Sequence, residues 1–339
     1  MSPARRRSGY PEVYEEDVQF ASFARISRNI SGYPFPHKNT ERAAAISSAV
    51  ADALERETRG YTAKPGSADA ICRMLFSPPP PEGTTIYTIP SESVLVAANG
   101  TDHVAVCGMA DSPEAAYDAA EKIEAALGRH LAFAWRPDIG YLTASPADVG
   151  TGLRVGTVLH LEALHLIGEL EPCIRGLEAM RMFAESLNLG GIRQTAHLFR
   201  VVNAVTLGEK EETLVSRSAF AVESLVEQEL NARVRLVDEL PRVFADSVCR
   251  ALAILKSARL LSPAETLDLL SPIRLAASMR FLSGITAAEV NRMFTSIPVF
   301  EPEEPDVDKR DLADGKRADQ INRRFARVVP NNSFIELMQ

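Results

Sequence analysis

From about Glu209 to Phe294 the apolar pattern of this chain is almost entirely helical, whereas the residues before it alternate short apolar strands with amphipathic helices. That change of periodicity predicts a mixed α+β half followed by an α-helical half. In the first half, residues 40–58 carry a helical repeat that starts at Thr40. Residues 112–128 read as an amphipathic helix with Ser112 as N-cap and Pro113 at the first position. Ser93–Ala98 and Val104–Cys107 read as buried strands joined by a turn at Asn99–His103. Strand-like stretches follow at 133–135, 141–144 and 154–161, then a helical pattern at 163–184, a glycine turn at Asn188–Gly191 and a strand near His197–Val205. Pro78–Pro81 form a run that neither a helix interior nor a central strand tolerates, so this stretch is an exposed loop or linker. Turns are expected near Pro241, Ser262–Pro263 and Gly284, and a proline- and charge-rich hinge from Glu301 precedes a short basic helix over Ala318–Val328.

A length of 339 residues is enough for two domains. The formal net charge of −8 argues against general nucleic-acid binding, which needs a dense basic surface. Cys72, Cys107, Cys173 and Cys249 are far apart, a spacing that suits reduced thiols better than a zinc site or a disulfide framework. Arg5–Arg7 are not followed by the apolar core of a secretory signal, and no apolar run approaches the roughly 20 residues of a membrane span. The expectation is a cytoplasmic protein that needs no membrane.

Three segments carry chemistry-bearing residues: Ala24–Pro36 (ARISRNISGYPFP), Asn99–His103 (NGTDH) and Gly140–Arg154 (GYLTASPADVGTGLR). In this order and spacing, and with Val202–Glu212 (VNAVTLGEKEE) downstream, they resemble the motifs of the bacterial protein-arginine kinases, members of the ATP:guanido phosphotransferase (phosphagen kinase) family. The helical stretch over Glu223–Phe294 is similar to the extra domain that sets those kinases apart. The resemblance implies a phosphagen-kinase catalytic domain of glutamine-synthetase-like fold, with an antiparallel sheet flanked by helices, over residues 1–222. It also implies a helical dimerisation and phosphoarginine-binding domain over 223–300 and a charged hinge and tail over 301–339. By resemblance, ATP with Mg²⁺ is the cofactor, and a homodimer, a zinc-binding kinase activator and the Clp unfoldase are the partners. Arg25, Arg154, Arg193, His103 and His160 fall on the nucleotide side of the site, and Arg310, Asp311 and Arg317 at the phosphoarginine motif, here stretched by five intervening residues.

The departures from the pattern are as informative as the matches. Gly100 and Thr101 replace two glutamates, Ala105 and Phe23 replace phosphate-binding arginines, Ser145 stands at a reactive cysteine, and Asp148 replaces an asparagine. A further arginine and glutamate of the family fall on Glu185 and Gly190 when no gap is allowed; a deletion puts Arg193 at the arginine, with no glutamate after it. A guanidinium is a poor nucleophile while protonated, its pKa lying above about 12, so a carboxylate must hold it and help remove its proton. With those carboxylates gone, the sequence points to a pseudokinase whose cleft offers no acid to an incoming arginine. The alternative is an active protein-arginine kinase with a rearranged site. Asp148 is then a better substitute base than Asp102, although a turn aspartate capping backbone N–H groups beside Gly150 is its plainer reading. Arg25 and Arg154 bind either an anion or an ion-pair partner, and His103 and His160 read more readily as satisfied strand histidines than as ligands.

Overall fold

Residues 18–36, 40–65, 80–81, 83–187, 196–297 and 307–337 are described by a computed structural model. Its centre is a strand that hydrophobic patterning does not single out, β1 (Gln19–Arg28). On one side β1 pairs with β5 (Val104–Ala110), which leads through β4 (Val94–Ala98) and β3 (Thr85–Ile89) to the edge strand β2 (Thr62–Pro65). A small hairpin, β6 (Trp135–Arg136) and β7 (Gly140–Tyr141), stands apart from the sheet. On its other side β1 pairs with β8 (Leu153–His160); β9 (Met182–Ser186) forms the far edge, and β10 (Leu198–Asn203) lies between them. Among the described residues this makes an eight-stranded sheet in which each neighbouring pair is antiparallel. The α+β class with an antiparallel sheet and a helical C-terminal part is therefore borne out.

Successive side chains of a strand point to opposite faces, and this sheet uses the two faces differently. Ala24, Ile26, Val96, Val106 and Val155 pack into one core with α1 (Thr40–Glu57) and α2 (Pro113–Gly128). The residues between them, Phe23, Arg25, Ala97, Ala105 and Arg154, face the other way and line a cleft. Helix α2 begins as the sequence predicts: Ser112 accepts from the Ala115 N–H at 3.2 Å, with Pro113 at the first position. It lies so close to β5 that a Cβ on Gly108 would stand 2.2 Å from the Ala116 carbonyl oxygen.

The predicted helix at 163–184 is really three elements. Helix α3 (Glu162–Leu166) ends at Gly168, with φ of 76°, and α4 (Leu170–Ala179) ends at Arg181, with φ of 53°, so the chain can turn into β9. The helical half comprises α5 (Glu211–Glu239), α6 (Pro241–Ser257), α7 (Pro263–Ser278) and α8 (Ala287–Ser296). Their boundaries fall at the turns expected near Pro241 and Ser262–Pro263. The tail helix α9 (Val307–Phe325) is longer than the predicted Ala318–Val328; β11 (Leu282–Ser283) pairs with β12 (Val329–Pro330), and α10 (Asn332–Leu337) closes the described chain. The predicted turn at Asn188–Gly191 lies outside the described residues. Helix α5 runs through residue 222 without a break, and one apolar core extends from Phe23, Leu159 and Phe199 to Phe244, Phe281 and Phe334.

Buried polar groups fasten the two halves together. Glu229 of α5 accepts the N–H groups of Ala163 (3.2 Å) and Leu164 (3.0 Å) and the Arg233 Nε at 3.0 Å, while Arg233 also donates to Ser278 Oγ at 3.1 Å. The Ser271 hydroxyl of α7 donates to Glu162 at 2.5 Å, and Glu162 also ion-pairs with His197, whose ring stacks on His165 at 3.8 Å. Burial opposes charge on His197, but the Glu162 carboxylate outweighs it, so the net direction is a raised pKa.

Two outcomes follow. Gly108→Ala is expected to destabilise the fold by about 1–3 kcal/mol through overpacking against α2, measured by urea denaturation. Because the pKa of His197 is raised on folding, its contribution is complete below its unfolded value and fades as pH rises through the folded one. The stability lost in His197→Gln is therefore expected to be larger at pH 6 than at pH 9, in paired melts at the two pH values.

Candidate active-site cleft

The open face of the sheet, together with residues 100–102 and 145–148, encloses a cleft with a cavity volume of about 190 Å³. Its floor is set by strand register. Arg25 of β1 lies directly opposite Arg154 of β8, and like charges opposed in this way repel unless something neutralises them. Asp148 does so: its Oδ1 accepts the Arg154 Nε at 2.6 Å and its Oδ2 accepts the Arg25 Nη2 at 3.0 Å. Arg154 also donates to the carbonyls of Asn203 (2.5 Å) and Ala147 (2.8 Å). The side chains of Arg25, Arg154 and Asp148 are 9%, 11% and 7% exposed, so the triad is shielded from solvent screening.

A second ion pair forms the far wall. Arg200 of β10 stands opposite Glu185 of β9 and ion-pairs with it, with Nε donating at 2.7 Å. Burial pushes the Arg200 guanidinium down from its ordinary value, and the Glu185 charge partly offsets this. Gly100 and Thr101, at the positions of the missing glutamates, do line the cleft and bring no charge to it. Asp102 beside them is buried, and its Oδ1 accepts from Asn29 Nδ2 and from the Ala144 N–H, each at 2.7 Å. Burial raises its pKa, the nearby Asp148 adding to the shift and the two hydrogen bonds opposing it.

The expectation of a cleft without acids is thus corrected: Asp102, Asp148 and Glu185 all line it. What the geometry shows is that each is already engaged, Asp148 and Glu185 by arginines and Asp102 by amide donors. Asp148 is not a turn cap, since its oxygens go to the two guanidinium groups. Arg200 was missed by sequence reasoning. The available signal was a lone arginine inside the apolar run Leu198–Val202, because a charge in a buried strand needs a partner.

Other motif residues shape the site from outside it. His103 is buried outside the cleft lining; its Nδ1 accepts the Ile30 N–H at 3.0 Å, so Nε2 carries the proton and donates to the Pro34 carbonyl at 2.9 Å. His160 is fully buried, contacts Ser271 Oγ at 2.9 Å, and is held well below its usual pKa by burial and by the Arg274 and Arg233 cations. In this arrangement His103 ties the backbone at Ile30 and Pro34 to β5, and His160 joins β8 to α7. Asn29 donates to Asp102 and to the Leu142 carbonyl and accepts the His103 N–H at 2.9 Å, tying all three motif segments together. Arg28 pairs with Glu124 at 2.6 Å, donates to the Thr151 carbonyl at 2.7 Å, and lies 3.5 Å over the Tyr141 ring. Gly150 and Gly152 adopt φ of 109° and 66°, where a Cβ would stand 2.7 Å from the Thr206 and 2.5 Å from the Ser27 carbonyl oxygen. Arg193 lies outside the described residues. On α9 Arg317 donates to Asp314 and to the Leu261 carbonyl, both at 2.5 Å; Asp311 is exposed, and Arg310 lies further up the same helix.

Comparison with known proteins defines the class. Residues 75–232 match the family model of the ATP:guanido phosphotransferase C-terminal catalytic domain. The fold resembles the crystal structure of lombricine kinase, with TM-score 0.52, 20% identity and coverage of 64% of this chain and 67% of that one. It also resembles the substrate-free duplicated taurocyamine kinase from Schistosoma mansoni, with TM-score 0.54, 17% identity and coverage of 76% and 42%. Residues 241–333, from the start of α6, match the model of the protein-arginine kinase McsB C-terminal domain, whereas the first match ends within α5. The protein-arginine kinase of Desulforamulus reducens is 31% identical over 80% of this chain and 81% of its own length; that of Moorella thermoacetica is 30% identical over 84% and 87%. The chain belongs to the bacterial protein-arginine kinases of the phosphagen kinase family. Among the described residues, no helix is long and apolar enough to cross a membrane.

The motif scaffold has a measurable consequence. Asp102→Ala leaves Asn29 and the Ala144 N–H without their acceptor and is expected to cost about 1–3 kcal/mol in urea denaturation. Asp102→Asn keeps an accepting oxygen and is expected to cost less.

Proposed function

We propose that this chain is a pseudokinase, a phosphagen-kinase scaffold that keeps its cleft from ATP with its own carboxylates and serves binding and regulation in protein-arginine phosphorylation. The reading rests on Asp148, which holds Arg25 with one oxygen and Arg154 with the other. Phosphoryl transfer is catalysed mainly by positioning and by neutralising phosphate charge, and arginines are suited to this because their planar donors match phosphate oxygens. A triphosphate entering here has to displace a buried carboxylate from both guanidinium groups. Breaking a buried ion pair costs about 3–5 kcal/mol, which at ~1.4 kcal/mol per decade is roughly two to four orders of magnitude in affinity. The residues present therefore do not fit a triphosphate with Mg²⁺. The acceptor side fails for a related reason: Gly100 and Thr101 carry no carboxylate, and the Glu185 carboxylate is held by Arg200. In this reading the helical part supports assembly, as a homodimer, and contact with the activator and unfoldase partners that the family resemblance implies.

The presence of Asp148 and Glu185 in the cleft favours one other reading, a rearranged kinase in which one of them acts as base. Incubation with labelled ATP and an arginine-rich protein separates the two. No transfer above background is expected for the wild type, and steady transfer that depends on Asp148 overturns the pseudokinase. In calorimetric titrations MgATP is expected to bind wild type more weakly than about 1 mM and Asp148→Asn roughly 100-fold or more tightly. The variant is also expected to melt lower than wild type without nucleotide and to recover on adding MgATP, since a ligand that binds only the folded state stabilises it.

A further inference from the structure

The eight-stranded sheet ends at β9, and strand register fixes what that end presents. Leu187 donates to the Leu198 carbonyl and Ala204 to the Arg181 carbonyl, so residues 181, 183, 185 and 187 turn their backbone groups toward β10. Met182, Ala184 and Ser186 alternate with them and turn theirs away from the sheet. Among the described residues nothing hydrogen-bonds to those three outward-facing backbones. Natural sheet edges are blunted by lysine, proline or a covering element. The opposite edge follows that rule, since β2 carries Lys64 and Pro65, whereas β9 (MFAES) has neither. Met182 is buried, but Ala184 and Ser186 are partly exposed, so a partner can reach their N–H and C=O groups. Donors and acceptors that recur about every 7 Å along a line are the complement of an extended backbone.

Behind this edge, on the face of β9 opposite the active-site cleft, lies a second cavity of about 340 Å³, lined by His165, Leu170, Glu171, Ser186, His197 and Phe199. The Ser186 hydroxyl is buried and has no hydrogen-bond partner among the described residues. Glu171 is exposed and, among the described residues, has no cation partner, whereas the His197 charge is already met by Glu162. A lysine suits this lining. Its methylene stem lies on Leu170 and Phe199, and its ammonium donates to Glu171 and to the Ser186 hydroxyl. A residue paired with Ala184 or Ser186 sends its side chain to the same face as theirs, toward this cavity. Two β9 edges paired with each other bring no cation to it, which favours a foreign segment over a second copy. We propose that the outer edge of β9 is a docking site for an extended, lysine-bearing polypeptide segment, which adds as a ninth strand and places its lysine in the cavity.

The test uses the full chain, without nucleotide, and the acetylated and amidated peptide Thr-Val-Lys-Val-Thr. Calorimetric titration is expected to give a dissociation constant of about 1 mM or tighter. In hydrogen-exchange mass spectrometry the Ala184 and Ser186 amides are expected to exchange fast in the free chain. Peptide at about ten times its dissociation constant is expected to slow them roughly tenfold. The same peptide N-methylated at the lysine and at the last threonine cannot donate toward β9 and is expected to bind at least roughly tenfold more weakly. Ala184→Pro removes an outward N–H while leaving the bonds to β10 in place, and is expected to weaken binding as well. Glu171→Gln is expected to weaken binding of this peptide but not of one with norleucine in place of lysine. Circular dichroism melts establish that each variant is folded, and Glu171→Gln decides if Ala184→Pro does not fold. Slow exchange at Ala184 and Ser186 in the free chain, from its own residues or from a second copy, overturns the proposal. Equal binding of the N-methylated peptide or unchanged affinity in Glu171→Gln overturns it too. None of these outcomes depends on labelled-ATP transfer, so failure here and failure of the pseudokinase reading are distinguishable.

Discussion

Two arginines placed opposite each other on neighbouring antiparallel strands cannot be left to themselves. The β1–β8 register puts Arg25 against Arg154, and the cleft floor is stable only with an anion between them. In a site that works on nucleotide phosphates, substrate can provide that anion. Here the chain provides it through Asp148, one carboxylate oxygen for each guanidinium. The short helical turn over Pro146–Asp148 brings Asp148 under the two strands, and the Thr206 hydroxyl, in reach of the Ala147 and Val149 carbonyls, fixes that turn from the far side. In the proposed reading, Asp148 is the counterion that an anion from solution has to displace.

Much of the motif sequence survives for reasons of fold. Asn29, Arg28 and His103 hold the segments that begin and end at β1, β5 and β7, while Gly150 and Gly152 allow backbone contacts that a Cβ would block. These residues are needed for the sheet to close over the cleft whether or not chemistry occurs in it. Gly100, Thr101, Ala105 and Asp148, which differ from the family pattern, line the cavity beside the retained Arg25, Asp102 and Arg154.

The sequence was most legible where local rules decide. The Ser112 cap, the Pro113 start and the 3.6-residue repeats of the helical half translate directly into helices, because capping and amphipathicity are properties of neighbouring residues. The strand β1 was less legible, since it mixes buried arginines and serines with apolar residues and its order comes from two partners distant in the chain. The helix expected through residue 184 stops early because Arg181 takes a left-handed conformation that periodicity cannot reveal. At the site, motif spacing located Arg25, Arg154 and the Gly100–Asp102 turn, but spacing carries no information on pairing. That Asp148 reaches both arginines, that Arg200 meets Glu185, and that His160 points into the helical half all depend on strand register and on the packing of α7.

The central claim is that Asp148 occupies the place where a phosphate group would lie. A crystal structure of the wild-type chain grown in millimolar MgATP tests it most directly. The expected result is an Asp148 carboxylate within hydrogen-bonding distance of both Arg25 and Arg154, with no phosphate density beside either. Ordered phosphate groups on those two guanidinium groups, with Asp148 turned away, would contradict it.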